Sequence, residues 1–300
     1  MSEYHNPVLL KESVDALVLN RDGFYADATF GGGGHSREIL GRLSGKGRLM
    51  AFDKDEDALA NAIDDPRFLL IHNNFRFIHN YTLLQAPDGL DGILADLGVS
   101  SHQFDTAERG FSFRYGAPLD MRMNVQGQKT AIDIVNSYTQ EELERILRLY
   151  GEVENARRMA QLIVNSRSAA PIRSTSDLDN AIAAALPSNA AHKVLAKVYQ
   201  ALRIEVNDEL RSLEKFLCGA AASLKRGGVL AVITYHSLED RMVKNFIRSG
   251  NAGGELRKDV FGRVCAPLEA VNRKPVEPSG EEIAGNTRAR SAKLRVARKI

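Results

Sequence analysis

Four consecutive glycines, Gly31 to Gly34, separate an apolar run over Gly23–Thr29 from a stretch of helical character spanning His35 to Leu43. Glycines between a strand and a helix permit a tight turn and let backbone N–H groups come close to a ligand. A glycine loop alone is equally a flexible turn. Asp53 adds a second cue, because it closes the next apolar run about twenty residues on, where a carboxylate can accept both hydroxyl protons of a ribose. Loop and acid together specify an adenosine-type cofactor. A nicotinamide cofactor would want a third glycine where Ser36 or Arg37 stands, and Asp27 just ahead of the loop would repel its pyrophosphate. The same carboxylate suits the ammonium of a methionine moiety, which favours S-adenosylmethionine.

A second set of residues could carry the reaction. Asp96-Leu-Gly-Val-Ser-Ser101 ends another apolar run. The exocyclic amine of a nucleobase is a poor nucleophile, because its lone pair is delocalised into the ring. An acceptor that takes hydrogen bonds from its N–H groups favours a pyramidal nitrogen and frees that pair to attack a methyl. Asp96 can be that acceptor, or it can hold the cofactor; the residues leave both roles open. The adjoining loop offers Phe104, Phe111, Phe113 and Tyr115 for stacking a base, and Arg109, Arg114, Arg122 and Asp120 for holding a nucleotide. Such a loop can also simply pack its own aromatics. His236 falls where a later strand, Gly228 to His236, should end, so it can contact RNA, help remove a proton, or sit buried as a satisfied histidine. Ser237 with Asp240 three residues on resembles a helix cap. No His/Cys cluster has metal-ligand spacing, and Cys218 and Cys265 read as two reduced thiols.

Elements must hold these residues in place. Apolar runs at 23–29, 48–53, 67–72 and 89–96 alternate with helical stretches, including one over 55–63, which implies a parallel sheet covered on both faces. The rhythm stops at about Ser100. A loop-like stretch to Gln128 gives way to helical periodicity over 131–224, with helices expected at 153–164, 177–186 and 194–217, and strand character returns at Gly228. Ala292 to Ala297 alternates like a last, half-exposed strand. The expected fold is therefore α/β, a Rossmann-like sheet over 1–105 and 213–300 interrupted by a mostly helical domain over 106–212. An insertion between the fourth and fifth strands belongs beside the carboxyl ends of the strands, where such sheets bind ligands. That placement suits a large substrate.

The bulk composition agrees with a globular enzyme. The chain has 300 residues, 44% hydrophobic and 26% charged, and a net charge of only +2. No apolar run is long enough for a bilayer and the first residues do not read as a signal peptide, so a cytoplasmic protein without a membrane is expected. From Thr287 to Ile300 the chain carries Arg288, Arg290, Lys293, Arg295, Arg298 and Lys299 and no acid, a stretch able to bind phosphates or simply to be solvated.

Taken together, these segments resemble the bacterial 16S ribosomal RNA (cytosine-N4)-methyltransferase family nearly end to end. The resemblance runs through His5 and Val8-Leu-Leu10, Ala28 to Ser36, Asp96 to Ser101, Arg109 to Phe113, Pro118 to Met123, Gln200 to Ile204, Val206-Asn207, His236 to Arg241 and Asn286 to Ser291. It implies a class I adenosylmethionine-dependent methyltransferase sheet, methylation of the N4 amine of one cytosine in the decoding region, and the small ribosomal subunit as partner. By matching motif, the cofactor contacts would be Gly33, Gly34, His35, Asp53, Phe75, Asp96 and Gln103, with Asp96 and His236 as catalytic candidates. Phe111, Phe113, Arg109, Asp120, Arg122, Arg288 and Arg290 are the substrate-binding candidates. Asn124 stands where the family usually has Asp, and Ala191 to Lys197 departs from the common His-Pro-Ala-Thr-Arg form. The oligomeric state stays open, a homodimer included. Two rival classes remain: an adenosylmethionine enzyme acting on another RNA or on protein, and a non-catalytic RNA-binding factor. The latter would not need Asp27, the glycine loop and Asp53 around one crevice.

Overall fold

The computed structural model describes residues 7–113 and 116–300; His5, Arg114 and Tyr115 lie outside the described residues. The chain divides into two compact units, Met1–Gly98 with Leu210–Ile300, and Val99–Glu209.

The first unit opens on helix α1 (Leu10–Leu17) and then lays down β1 (Phe24–Asp27), α2 (Gly34–Arg42), β2 (Arg48–Asp53), β3 (Phe68–His72), α3 (Ile78–Gln85) and β4 (Leu90–Asp96). All four strands pair in parallel. Their apolar runs are continuous because successive side chains enter different cores. Ala26, Met50 and Ile93 pack in one cluster, whereas Tyr25, Leu49 and Leu94 pack in the other. The helix expected over 55–63 shrinks to a 3-10 segment, Glu56–Asn61, with Asp55 accepting from the Asp57 N–H at its start.

The second unit is helical: α4 (Ser101–Asp105), α5 (Ala131–Ser137), α6 (Gln140–Leu149), α7 (Ala156–Ala169), α8 (Thr175–Ile182) and α9 (Ala191–Asn207). Reciprocal capping boxes start α5 at Thr130/Asp133, α6 at Thr139/Glu142 and α8 at Ser174/Asp177, each satisfying two otherwise orphaned backbone donors. Leu143, Ile146 and Leu147 of α6 meet Met159 and Ile163 of α7 and Val198 and Leu202 of α9 in its core. The sequence predicts one helix across 194–217. The structure breaks it at Asp208, which adopts a left-handed conformation with φ 50°, a region aspartate tolerates better than most residues.

Helix α10 (Glu209–Ser223) leads the chain back to β5 (Leu224–Thr234), α11 (Ser237–Ser249), β6 (Leu268–Ala270), α12 (Gly280–Gly285) and β7 (Lys293–Lys299). The sheet order is β3-β2-β1-β4-β5-β7-β6, with β7 antiparallel to both of its neighbours. Among the described residues no helix is long and apolar enough to cross a membrane.

Candidate active site

Three strands of the first unit, β1, β2 and β4, each end in an aspartate: Asp27, Asp53 and Asp96. Parallel pairing puts all three at the carboxyl edge of the sheet, where open α/β sheets bind their ligands. Burial pushes all three carboxyls above the usual carboxylate range.

Asp27 does not serve there as expected. It is fully buried, with Oδ1 accepting from the Thr29 N–H at 3.0 Å and Oδ2 from the Ser36 hydroxyl at 2.7 Å. The carboxylate read from sequence as a partner for a ligand ammonium instead ties the start of the glycine loop to the first turn of α2. The glycines are needed for shape. Gly31 and Gly33 have φ of 52° and 77°, and a Cβ on Gly34 would run into the Pro7 ring. Gly33 is the N-cap of α2 and offers no side-chain oxygen to the first-turn amides, which leaves that end suited to an anionic or acceptor group.

Asp53 accepts from the Gly31 N–H at 2.8 Å through Oδ2 and from the Asp55 N–H at 2.9 Å through Oδ1. An ionised carboxylate has about four acceptor sites, so it keeps capacity for two hydroxyls. Phe75 begins a 3-10 turn after β3, and its half-buried ring meets Phe216 edge-on at 5.1 Å.

Asp96 has the most elaborate surroundings. Its backbone N–H donates to the Thr29 hydroxyl at 2.7 Å, and its Oδ1 accepts from the Tyr235 hydroxyl at 2.7 Å. Its Oδ2 lies 3.9 Å from Nδ1 of His35, a ring whose Nε2 is 3.2 Å from the Val8 carbonyl. That carbonyl can only accept, so Nε2 carries the proton and Nδ1 of the neutral ring faces the carboxylate. Burial holds His35 below its usual pKa. Burial also raises Asp96 to about 6 against the opposing pull of the Tyr235 hydrogen bond. The side chain keeps 22% of its surface open, so the carboxylate is desolvated yet reachable.

Tyr235 is the residue that sequence reasoning missed. Ile233 pairs with Asp96 across β4 and β5, and Tyr235, two residues further on, returns to the same face of the sheet. Only the strand register reveals this. Of the roles open to His236, the structure shows a mostly buried ring set against its own helix start. It is the N-cap of α11, its Nδ1 accepting from the Glu239 N–H at 3.4 Å and its Nε2 lying 3.1 Å from Glu239 Oε1. The ring lies against Glu239, and the cap read from sequence at Ser237 belongs to His236.

The candidates of the second unit are largely engaged within it. Gln103 is buried and its side-chain oxygen accepts from the Ser100 N–H, closing a capping box on α4. Arg109 is buried and donates to the carbonyls of Arg122 and Met123 at 3.0 and 2.9 Å. Arg122 and Asp120 pair with each other through two hydrogen bonds of 2.8 and 2.7 Å. Phe111 is a core side chain, and Phe113 is half-buried between Tyr199 and His192. The expectation of Phe111 as a stacking platform gives way to packing, and that of Arg109 and Arg122 as nucleotide clamps to internal pairing. At the chain's end Arg288 and Arg290 are exposed on a 3-10 turn. Arg295, part of the same basic stretch, is held by Asp240 at 2.6 and 3.0 Å.

A mostly parallel seven-stranded sheet with one inverted strand near its edge, a glycine loop after β1 and acids closing β2 and β4, defines the class I methyltransferases, whose donor is S-adenosylmethionine. The comparisons with known proteins narrow the class. The chain belongs to the MraW methylase family, whose profile matches residues 2–300. It is 52% identical over 296 residues to ribosomal RNA small subunit methyltransferase H of Bacteroides fragilis, covering 99% of this chain and 97% of that protein. The proteins of the same name from Flavobacterium johnsoniae and Christiangramia forsetii are 51% and 50% identical over 298 and 300 residues. The alignments cover 99% and 100% of this chain, and 98% and 99% of those relatives.

Proposed function

We propose that this protein methylates the N4 amine of a cytosine in small-subunit ribosomal RNA, with Asp96 as the group that activates the amine. The observation that carries the reading is the Asp96 carboxylate: partly open, oriented by Tyr235, and raised by burial to about 6. The names of the relatives supply the RNA, the family resemblance the cytosine.

The chain's residues fit the donor. S-Adenosylmethionine supplies an electrophilic methyl on a positively charged sulfur. Asp53, with two acceptor sites to spare, would hold the ribose hydroxyls. The backbone of Gly33, Gly34 and His35 would line the methionine end, and Phe75 would flank the adenine. Gln103 joins this set by the family resemblance. Negative charge at Asp96 favours a cationic donor, because an ion pair formed away from bulk water is strengthened.

Asp96 then acts twice. Its oxygen accepts a hydrogen bond from the cytosine N–H and localises the nitrogen lone pair towards the methyl. Once the N–C bond has formed at the expense of the methyl–sulfur bond, the nitrogen is cationic and sheds a proton, which a carboxylate of pKa about 6 can take near neutral pH. Tyr235 keeps Oδ1 occupied, so the amine meets Oδ2. Phe113, Arg288 and Arg290 remain the candidates for contacting RNA, and the cytoplasm, where small subunits assemble, is the expected compartment.

Mass mapping of small-subunit RNA from cells with and without the gene tests this reading. One cytosine in the decoding region should lose a methyl in the deletion strain and regain it on incubation with the purified protein. Identical maps would remove ribosomal RNA as the substrate, and calorimetry showing no heat with S-adenosylmethionine would remove the donor.

A further inference from the structure

A hairpin between α11 and β6 has no part in the site, yet it is built to present apolar and cationic side chains to solvent. Val260 is 94% exposed and Phe261 81%, with Leu256 and Val264 at 51% and 40%. Arg257, Lys258 and Arg263 are exposed around them. Between Leu256 and Ala266 the chain has these three cations and one acid, Asp259.

The hairpin is ordered by its own bonds. Lys258 bridges Val264, the Cys265 N–H donates to the Arg257 carbonyl at 2.8 Å, and Asp259 N–H to the Arg263 carbonyl at 2.9 Å. The one acid is spent on the turn, its Oδ1 accepting from the N–H groups of Phe261 and Arg263, both at 2.9 Å. The foot is fastened to α11, where Asn245 donates to the Ala252 carbonyl and Arg248 to that of Gly254. Holding a phenylalanine rigidly in water gains nothing for folding, since its apolar surface stays wet. Such preorganisation lowers the ordering cost of binding a partner.

We infer that this hairpin is an RNA anchor remote from the reaction, Phe261 stacking on an unpaired base while Arg257, Lys258 and Arg263 meet the flanking phosphates. The chemistry is that of single-stranded RNA recognition, an aromatic face beside a cationic track. The inference rests on the reading of ribosomal RNA as substrate.

Sheet register separates the anchor from the target base. Ile233, near the end of β5, pairs with Asp96, whereas Val229, four residues earlier, pairs with Arg298 of β7. Leu268, the first residue after the hairpin in the sheet, pairs with Lys299. The hairpin therefore leaves the edge opposite the reaction site, with Arg298 and Lys299 at its foot. It grips a different nucleotide from the one that is methylated, so its contribution belongs in affinity.

Small subunits from a deletion strain serve as the probe, with the full-length protein and two variants, Phe261→Ala and the triple change Arg257→Gln, Lys258→Gln, Arg263→Gln. Losing one stacked base should raise KM for the particle by roughly 5- to 100-fold, the loss appearing in KM. The triple variant should flatten the dependence of log affinity on log salt by about 2, at about 0.7 per lost phosphate contact. Calorimetry with S-adenosylmethionine confirms that each variant still folds. Wild-type KM and salt slope in both variants would overturn the anchor. So would a concentration-dependent dimer that Phe261→Ala dissolves without any change in KM, because the hairpin would then face a second copy. If the wild-type protein neither binds nor methylates the particles, it is the substrate reading that fails, a result the variants cannot mimic.

Discussion

The two units treat their polar residues in opposite ways. In the sheet unit, Asp53 and Asp96 end their strands with acceptor capacity left over, oriented by neighbours from other elements: the glycine loop for one, Tyr235 for the other. In the helical unit, Arg122 pairs with Asp120, and Arg109 donates to the Arg122 backbone, within a single loop. Both regions carry the residue types of a nucleotide site. A charged residue is available for chemistry when its partners come from distant segments and leave a valence open. A charge pair two residues apart closes on itself.

Mutations can break or sharpen that contrast. The largest effect belongs to Asp96→Asn, which should cut methyl transfer on the order of 10³-fold, the cost typical of losing a charge-stabilising group. The fold should survive. Because folding raises the Asp96 pKa, the folded state loses stability as pH climbs from the ordinary carboxylate value through about 6. The asparagine variant should accordingly melt higher than wild type at pH 8, and a lower Tm would contradict the desolvated carboxylate.

Phe111→Ala is the mirror experiment in the helical unit. As a core ring it should cost roughly 3–5 kcal/mol of stability; an unchanged Tm with a raised KM for RNA would restore it as a stacking residue. Asp53→Ala should weaken donor binding by about 10- to 100-fold, the worth of charge-assisted hydrogen bonds of ~1.5–3 kcal/mol. Titration calorimetry reads this directly, and an unaltered Kd would take Asp53 out of the site.

The smallest effect is the most diagnostic. Wild-type kcat/KM should fall on the acid side with an apparent pKa near 6, as protonation removes the acceptor. Tyr235 donates to the charged form and so lowers that pKa. Tyr235→Phe should push the acid limb upward by up to about one unit, with rates at pH 8 nearly spared. A limb that stays put would reduce Tyr235 to packing.

Much of the fold was legible because burial on both faces leaves continuous apolar runs, and four parallel strands could be read in order. Elements with weaker patterns were not. The three residues of β6, the six of α12 and the five of α4 fall below the length at which periodicity shows. The break at Asp208 was hidden because the apolar period continues on both sides of one left-handed residue. At the site, spacing was enough to locate Asp53 and Asp96. It misassigned Asp27, since a carboxylate beside a loop looks the same whether it faces a ligand or the Ser36 hydroxyl.

The amino-acid sequence by itself determined the chemistry at hand: glycines that only a tight turn requires, acids closing apolar runs, and a basic stretch at the end. These are local properties, set by backbone sterics and side-chain type. The tertiary structure decided which of those groups are free to act. That depends on partners far away in the chain, such as Tyr235 for Asp96 and Gly31 for Asp53, and strand register and packing alone bring them within bonding distance.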